Sequence, residues 1–111
     1  KIPDIEQISI QDGLDPDVIA ARIKKYLPQI QHCYEQQLVH KPELRGKVTV
    51  AFTILGSGRV GKPNVIQTTL RDKLTEKCMV SKIKNWKFPK PKGGGTVGVK
   101  YPFILMSNTG K

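Results

Sequence analysis

The sequence predicts an α+β domain in which two amphipathic helices lie against a small layer of three strands. Three observations carry this. Apolar residues recur at helical spacing from Ile19 to Leu38, they alternate strictly from Val48 to Ile54, and they alternate again from Val97 to Leu105 after a second stretch of helical period. At 111 residues the chain is one ordinary domain with one core, so an enzyme of two lobes is excluded.

Residues 1–14 read as a polar lead-in, with Ile8 and Ile10 suggesting one brief strand. The first helix starts at Asp15, an N-cap residue type, followed by Pro16 in the first turn and Asp17 at the positive end of the dipole. Its stripe runs through Ile19, Ile23, Tyr26/Leu27, Ile30, Cys33/Tyr34 and Leu38. Pro28 removes a backbone donor within this run and predicts a kink or a split into two helices that share one core. From Gly46 to Leu55, Val48, Val50, Phe52 and Ile54 share one strand face, opposite Lys47, Thr49, Ala51 and Thr53. A second strand is expected over Pro63 to Leu70, which is rich in β-branched residues. Next, Asp72 caps a second helix whose stripe is read as Leu74, Cys78, Val80/Ser81, Ile83 and Trp86. The last strand spans Thr96 to Leu105 with Val97, Val99, Tyr101, Phe103 and Leu105 inward, and residues 106–111 form a tail. Joined by a helix rather than a hairpin, this strand is expected at the edge of the sheet.

The stretch "TILGSGRVGKPNV" imitates two phosphate-binding patterns. Gly56, Gly58 and Gly61 fit GxGxxG, and Gly56 to Lys62 fits the opening of a P-loop. A P-loop must open a helix, and Ser or Thr must follow its lysine to reach the magnesium ion. Pro63 follows here, and Val65, Ile66, Thr68 and Thr69 favour a strand. The glycines therefore read as a turn between two antiparallel strands, and no cofactor is expected.

Catalytic and metal chemistry find little support. Ser57, His32, Asp72 and Glu76 are scattered, with no spacing that assembles a nucleophile and its base. Zinc would need about four ligands, and His32 and His40 are the only candidates beside Cys33 and Cys78. His32 points off the face of Cys33, and His40 lies about two turns further on. The two cysteines fall on the stripes of different helices. Read alone they are either small buried hydrophobes or a bridge closing a loop of about 45 residues, which would imply an oxidising compartment.

Nineteen lysines and arginines against nine acids give a formal charge of +10 and point to anionic surroundings. Lys87, Lys90 and Lys92 are the one close group. Interleaved with Trp86 and Phe88 they could hold a single nucleic acid strand, so a basic nucleic-acid-binding module is the alternative function. With aromatics at 6% of the chain there is no broad stacking surface, and the prolines around Phe88 read more simply as the end of the helix. No apolar stretch approaches the roughly 20 residues that span a bilayer, so the piece is expected not to be embedded in a membrane. It begins without Met, as a fragment of a longer protein would.

Four segments together resemble a known family: "IQHCYEQQL" (30–38), "PELRGKVTVAFTILGSGRV" (42–60), "TTLRDKLTEKCMVSKIKNWKFPKPKGGG" (68–95) and "VKYPFIL" (99–105). In this order they look like the C-terminal domain of TonB-like proteins, nearest the AgmX/PglI type of myxobacterial gliding-motility proteins. The resemblance spans Asp15 to Leu105 and sets the domain at 15–105. It implies three antiparallel strands packed on helices, no catalytic residues, and a periplasmic location at the end of an inner-membrane protein. It also implies a disulfide between Cys33 and Cys78. The implied function couples inner-membrane motor proteins to a periplasmic or outer-membrane protein segment that adds as a strand to a sheet edge. On the last strand the residues expected to take it are Val97, Gly98, Val99, Lys100, Tyr101 and Phe103, with Lys100 and the grouped lysines favouring an acidic segment. Pro102 removes one donor there, so the pairing is expected to be interrupted or to use the other register.

Overall fold

The computed structural model describes residues 13–107. The brief strand expected around Ile8 and Ile10 and most of the C-terminal tail lie outside the described residues. Helix α1 (Pro16–Leu38) leads into strand β1 (Gly46–Ile54), β2 (Val60–Thr68), helix α2 (Lys73–Lys84) and β3 (Val97–Leu105). All pairings are antiparallel, and the order across the sheet is β2-β1-β3, with β1 at the centre and paired on one side with its hairpin neighbour and on the other with the last strand. The fold is the α+β arrangement the periodicities predict.

Helix α1 opens where its cap places it: the Asp15 carboxylate accepts from the Asp17 amide at 2.8 Å. Of the kink or split expected at Pro28, the split does not occur: α1 is one helix of 23 residues with Pro28 inside it. Pro28 is exposed, so the carbonyl it leaves unbonded faces water and the helix can run on. Ile19, Ile23, Ile30, Cys33 and Tyr34 are buried along its stripe.

The glycine stretch is a hairpin, not a phosphate cradle. The Leu55 amide donates to Arg59 O and the Gly58 amide to Leu55 O, each at 2.8 Å. No helix follows, and β2 begins at Val60, three residues before the expected start. Gly58 holds φ at +90°, and a Cβ there would come within 2.2 Å of the Phe88 carbonyl oxygen, so only glycine fits.

Helix α2 buries a different stripe from the one expected. Thr75, Met79 and Ile83, at intervals of four, face the core, whereas Leu74 is 62% exposed and Cys78 lies only partly inside. The reason is polar. Asp72 is buried, and its Oδ2 accepts from both the Thr75 amide (3.1 Å) and the Thr75 hydroxyl (2.6 Å). A threonine whose hydroxyl is satisfied inside the first turn can occupy a core position. The helix ends at Lys84; Trp86 is buried but belongs to the turn that follows.

The Asp72 carboxyl is pushed up by burial, but hydrogen bonds from Lys41 and Thr75 and the Lys41 charge outweigh this and hold it below the ordinary carboxylate range. Lys41 Nζ lies 2.6 Å from Asp72 Oδ1 and ties the loop after α1 to the start of α2. A depressed folded pKa gives stability that is present above the unfolded value of about 3.9 and lost as pH falls through the folded one. Stability measured by denaturant between pH 6 and pH 2 should therefore fall with acid, and Asp72→Asn should flatten that fall at a cost near 1–2 kcal/mol at neutral pH. An equal acid slope in the variant would remove Asp72 from this account.

Candidate functional site

The candidate site is the outer edge of β3, and its geometry follows from the way β1 divides its hydrogen bonds. Thr69 N donates to Lys47 O, Lys47 N donates to Thr69 Oγ1, and Leu55 N donates to Arg59 O. The peptide groups of odd-numbered β1 residues thus face β2. By the alternation of an antiparallel ladder, those of Gly46, Val48, Val50, Phe52 and Ile54 face β3. Their partners are Leu105, Phe103, Tyr101, Val99 and Val97, in a register without a shift along the whole strand. The peptide groups of Gly98, Lys100, Pro102 and Ile104 consequently point away from β1.

This resolves the question raised by Pro102. It stands opposite Thr49, at a position whose missing N–H belongs to the outer edge, so the ladder to β1 loses nothing. Among the described residues no strand pairs with that outer edge. It offers the N–H groups of Gly98, Lys100 and Ile104 and the carbonyls of all four residues.

The six residues singled out on this strand separate into two kinds. Val97, Val99, Tyr101 and Phe103 are buried in the core, and their peptide groups are those paired with β1. Gly98 and Lys100 face outward. Ile104, half exposed, belongs with them; strand alternation alone would have found it once the orientation of β1 was known. Tyr101 is 1% exposed, and among the described residues its hydroxyl has no hydrogen-bond partner. Burial pushes its pKa up.

The sheet's other edge is built differently. Strand β2 shows two register irregularities against β1, at Thr49/Val50 and at Ala51/Thr53. It also carries Pro63, with Lys62 held at φ +52°. Bulges and proline are the devices by which proteins blunt an edge against pairing. Edge β3 has nine residues in continuous register; edge β2 is broken twice.

Behind the sheet, three residues one turn apart on α1 grip the segment after α2. Arg22 Nη1 donates to Lys87 O (2.8 Å), the Tyr26 hydroxyl donates to Lys87 O and accepts from Lys87 N (3.2 Å each), and Gln29 Oε1 accepts from Trp86 Nε1 (2.8 Å). The Trp86 ring stacks on Tyr26 at 4.8 Å and meets Phe52 and Phe103 edge-on. Trp86 and Phe88 are both buried, so neither can stack a base, while Lys87, Lys90 and Lys92 stay exposed.

Cys33 and Cys78 are joined in a disulfide that links α1 to α2, so neither sulfur is free to bind a metal. Among the described residues no helix is long and apolar enough to cross a membrane.

No family model matches the chain, and no curated protein does. Two solved structures are similar to it, both NMR solution structures of the Helicobacter pylori TonB C-terminal domain. One is 26% identical with a TM-score of 0.47, covering 73% of this chain and 92% of that one. The other is 20% identical with a TM-score of 0.44, covering 88% of this chain and all of that one.

Proposed function

We propose that this chain is a non-enzymatic protein-binding module of the TonB-like kind, and that it captures a partner segment as a fourth strand along β3. The observation that carries the reading is the contrast between the edges: β3 is regular over its whole length and exposes alternate peptide groups, while β2 is blunted. Main-chain hydrogen bonds would supply the affinity, and the side chains beside Lys100 and Ile104 the selection. Because Pro102 has no N–H, the incoming strand gains donors from Gly98, Lys100 and Ile104 only.

The sequence resemblance from residue 15 to residue 105 supports the finer reading. In it the domain lies in the periplasm at the end of an inner-membrane-anchored protein of AgmX/PglI type. An energised motor acts through a segment N-terminal to this chain, and the load is an outer-envelope partner in gliding motility. The disulfide suits that oxidising compartment. Lys100 favours an acidic partner segment.

Lys100→Pro tests the binding mode. The substitution removes an outward N–H that β1 does not use, so the fold should survive. Affinity for a segment captured from envelope extract should fall roughly tenfold, the equivalent of about 1.4 kcal/mol for the lost bond and disturbed pairing. In the unsubstituted domain the amide signals of Gly98, Lys100 and Ile104 should shift as the segment binds. Binding that leaves those three signals in place sinks the β3 reading.

A further inference from the structure

On the far side of the domain from β3, we infer a second binding surface: a trough along α2 that takes an acidic segment of another protein, seated as a groove ligand and not as an added strand. Two clefts make it. A groove of about 580 Å³ runs between β2 and α2, with half-buried Pro63, Val65 and Val80 among its lining. A second cleft of about 550 Å³ lies between the hairpin and the end of α2, bordered by Arg59, Lys84 and Lys87. Lys84 lines both, so the two form one path.

Charge identifies the occupant. Lys73, Lys77 and Lys84 are zero, four and eleven residues along the helix, which at 100° per residue puts them within about 40° of one another on a single stripe. Val80 falls on the same stripe. Arg59 and Lys87, paired across an isolated bridge, continue the basic line past the helix end. Among the described residues the one ion pair is Lys41–Asp72, so all five cations lack an acidic partner. The acid within the groove, Glu76, is engaged by the Thr68 hydroxyl at 2.8 Å.

Five cations without an acidic partner among the described residues, set beside aliphatic side chains, match carboxylates alternating with apolar side chains. They do not match a nucleic acid strand, since the lining offers no exposed aromatic ring for bases: Trp86, the one aromatic there, is buried. From Lys73 to Lys84 the helix rises about 16 Å, and with the turn to Lys87 the path suits an extended segment of about seven or eight residues. The broken edge of β2 explains the mode of seating: with two bulges and Pro63 it cannot pair regularly, so contact falls to side chains.

The test is titration of the 111-residue chain with a fluorescein-labelled nine-residue peptide of alternating glutamate and leucine. Its lysine-leucine counterpart and a twelve-nucleotide oligothymidylate serve as controls. The acidic peptide should bind saturably and shift the amide signals of Lys73, Lys77, Val80 and Lys84. Its affinity should drop tenfold or more in the exposed triple variant K73E/K77E/K84E, whose spectrum otherwise stays native. It should change less than twofold in Lys100→Pro, which separates this surface from the β3 edge. Absent saturable binding, shifts confined to β3, an unaffected triple variant, or tighter binding of the oligonucleotide at the same lysines would each overturn the proposal.

Discussion

Replacing Cys33 and Cys78 together with serine should lower the stability of the domain by about 4 kcal/mol, the chain-entropy value for a loop closed across 45 residues. The bridge fastens α1 to α2, and the segment it encloses contains β1, β2 and their hairpin. Opening it releases those elements' loop entropy to the unfolded chain while leaving the native packing largely in place. A domain of this size typically has about 5–15 kcal/mol in all, so a loss of about 4 would bring the weaker end of that range close to unfolding at room temperature. Denaturant unfolding with and without reductant measures it. The same shift should appear on reduction of the unsubstituted protein, and thiol titration of the unreduced, unfolded chain should find no free sulfhydryl. A midpoint unchanged by reductant would mean that the bridge contributes nothing.

Trp86→Ala should cost about 3–5 kcal/mol, the usual range for emptying a buried tryptophan site. Trp86 lies at the junction of all the layers: it stacks on Tyr26 of α1, meets Phe52 of β1 and Phe103 of β3 edge-on, and donates to Gln29. Removing the ring leaves a void at that junction and ends the bond to the exposed Gln29 side chain, whose oxygen then turns to water. Trp86→Phe should recover part of the loss, because it restores the ring contacts without the indole donor. Near-UV circular dichroism and thermal unfolding report both variants. A cost below about 1 kcal/mol for the alanine would show that the junction repacks and that Trp86 is not the centre of the core.

The β3 edge has a direct relation to this core. Val97, Val99, Tyr101 and Phe103 anchor the strand by their side chains and their bonds to β1, which leaves Gly98, Lys100 and Ile104 held on a fixed backbone with nothing beyond them among the described residues. A rigid strand presents its outward groups already arranged, so under the proposed capture at β3 an incoming segment would have only its own order to lose. Trp86→Ala should therefore weaken partner capture as well as stability, although Trp86 touches no outward group of β3.

Periodicity and capping were legible in the chain itself. The stripe of α1, the alternation of β1 and β3, the caps at Asp15 and Asp72 and the turn at Gly58 depend on residues within a few positions of one another, so local chemistry decides them. The phase of α2 was not legible. Leu74 outweighs Thr75 on any hydrophobic reading, and only the buried Asp72 carboxylate, paired with Lys41 from 31 residues away, makes the threonine the inward residue. The orientation of β3 was equally hidden, since which of its alternate peptide groups face outward depends on how β1 shares its own groups between two neighbours. Alternation along a strand thus predicted which side chains are buried. Which edge stays regular and which peptide groups it turns outward came from contacts between segments far apart in the chain, which no local pattern encodes.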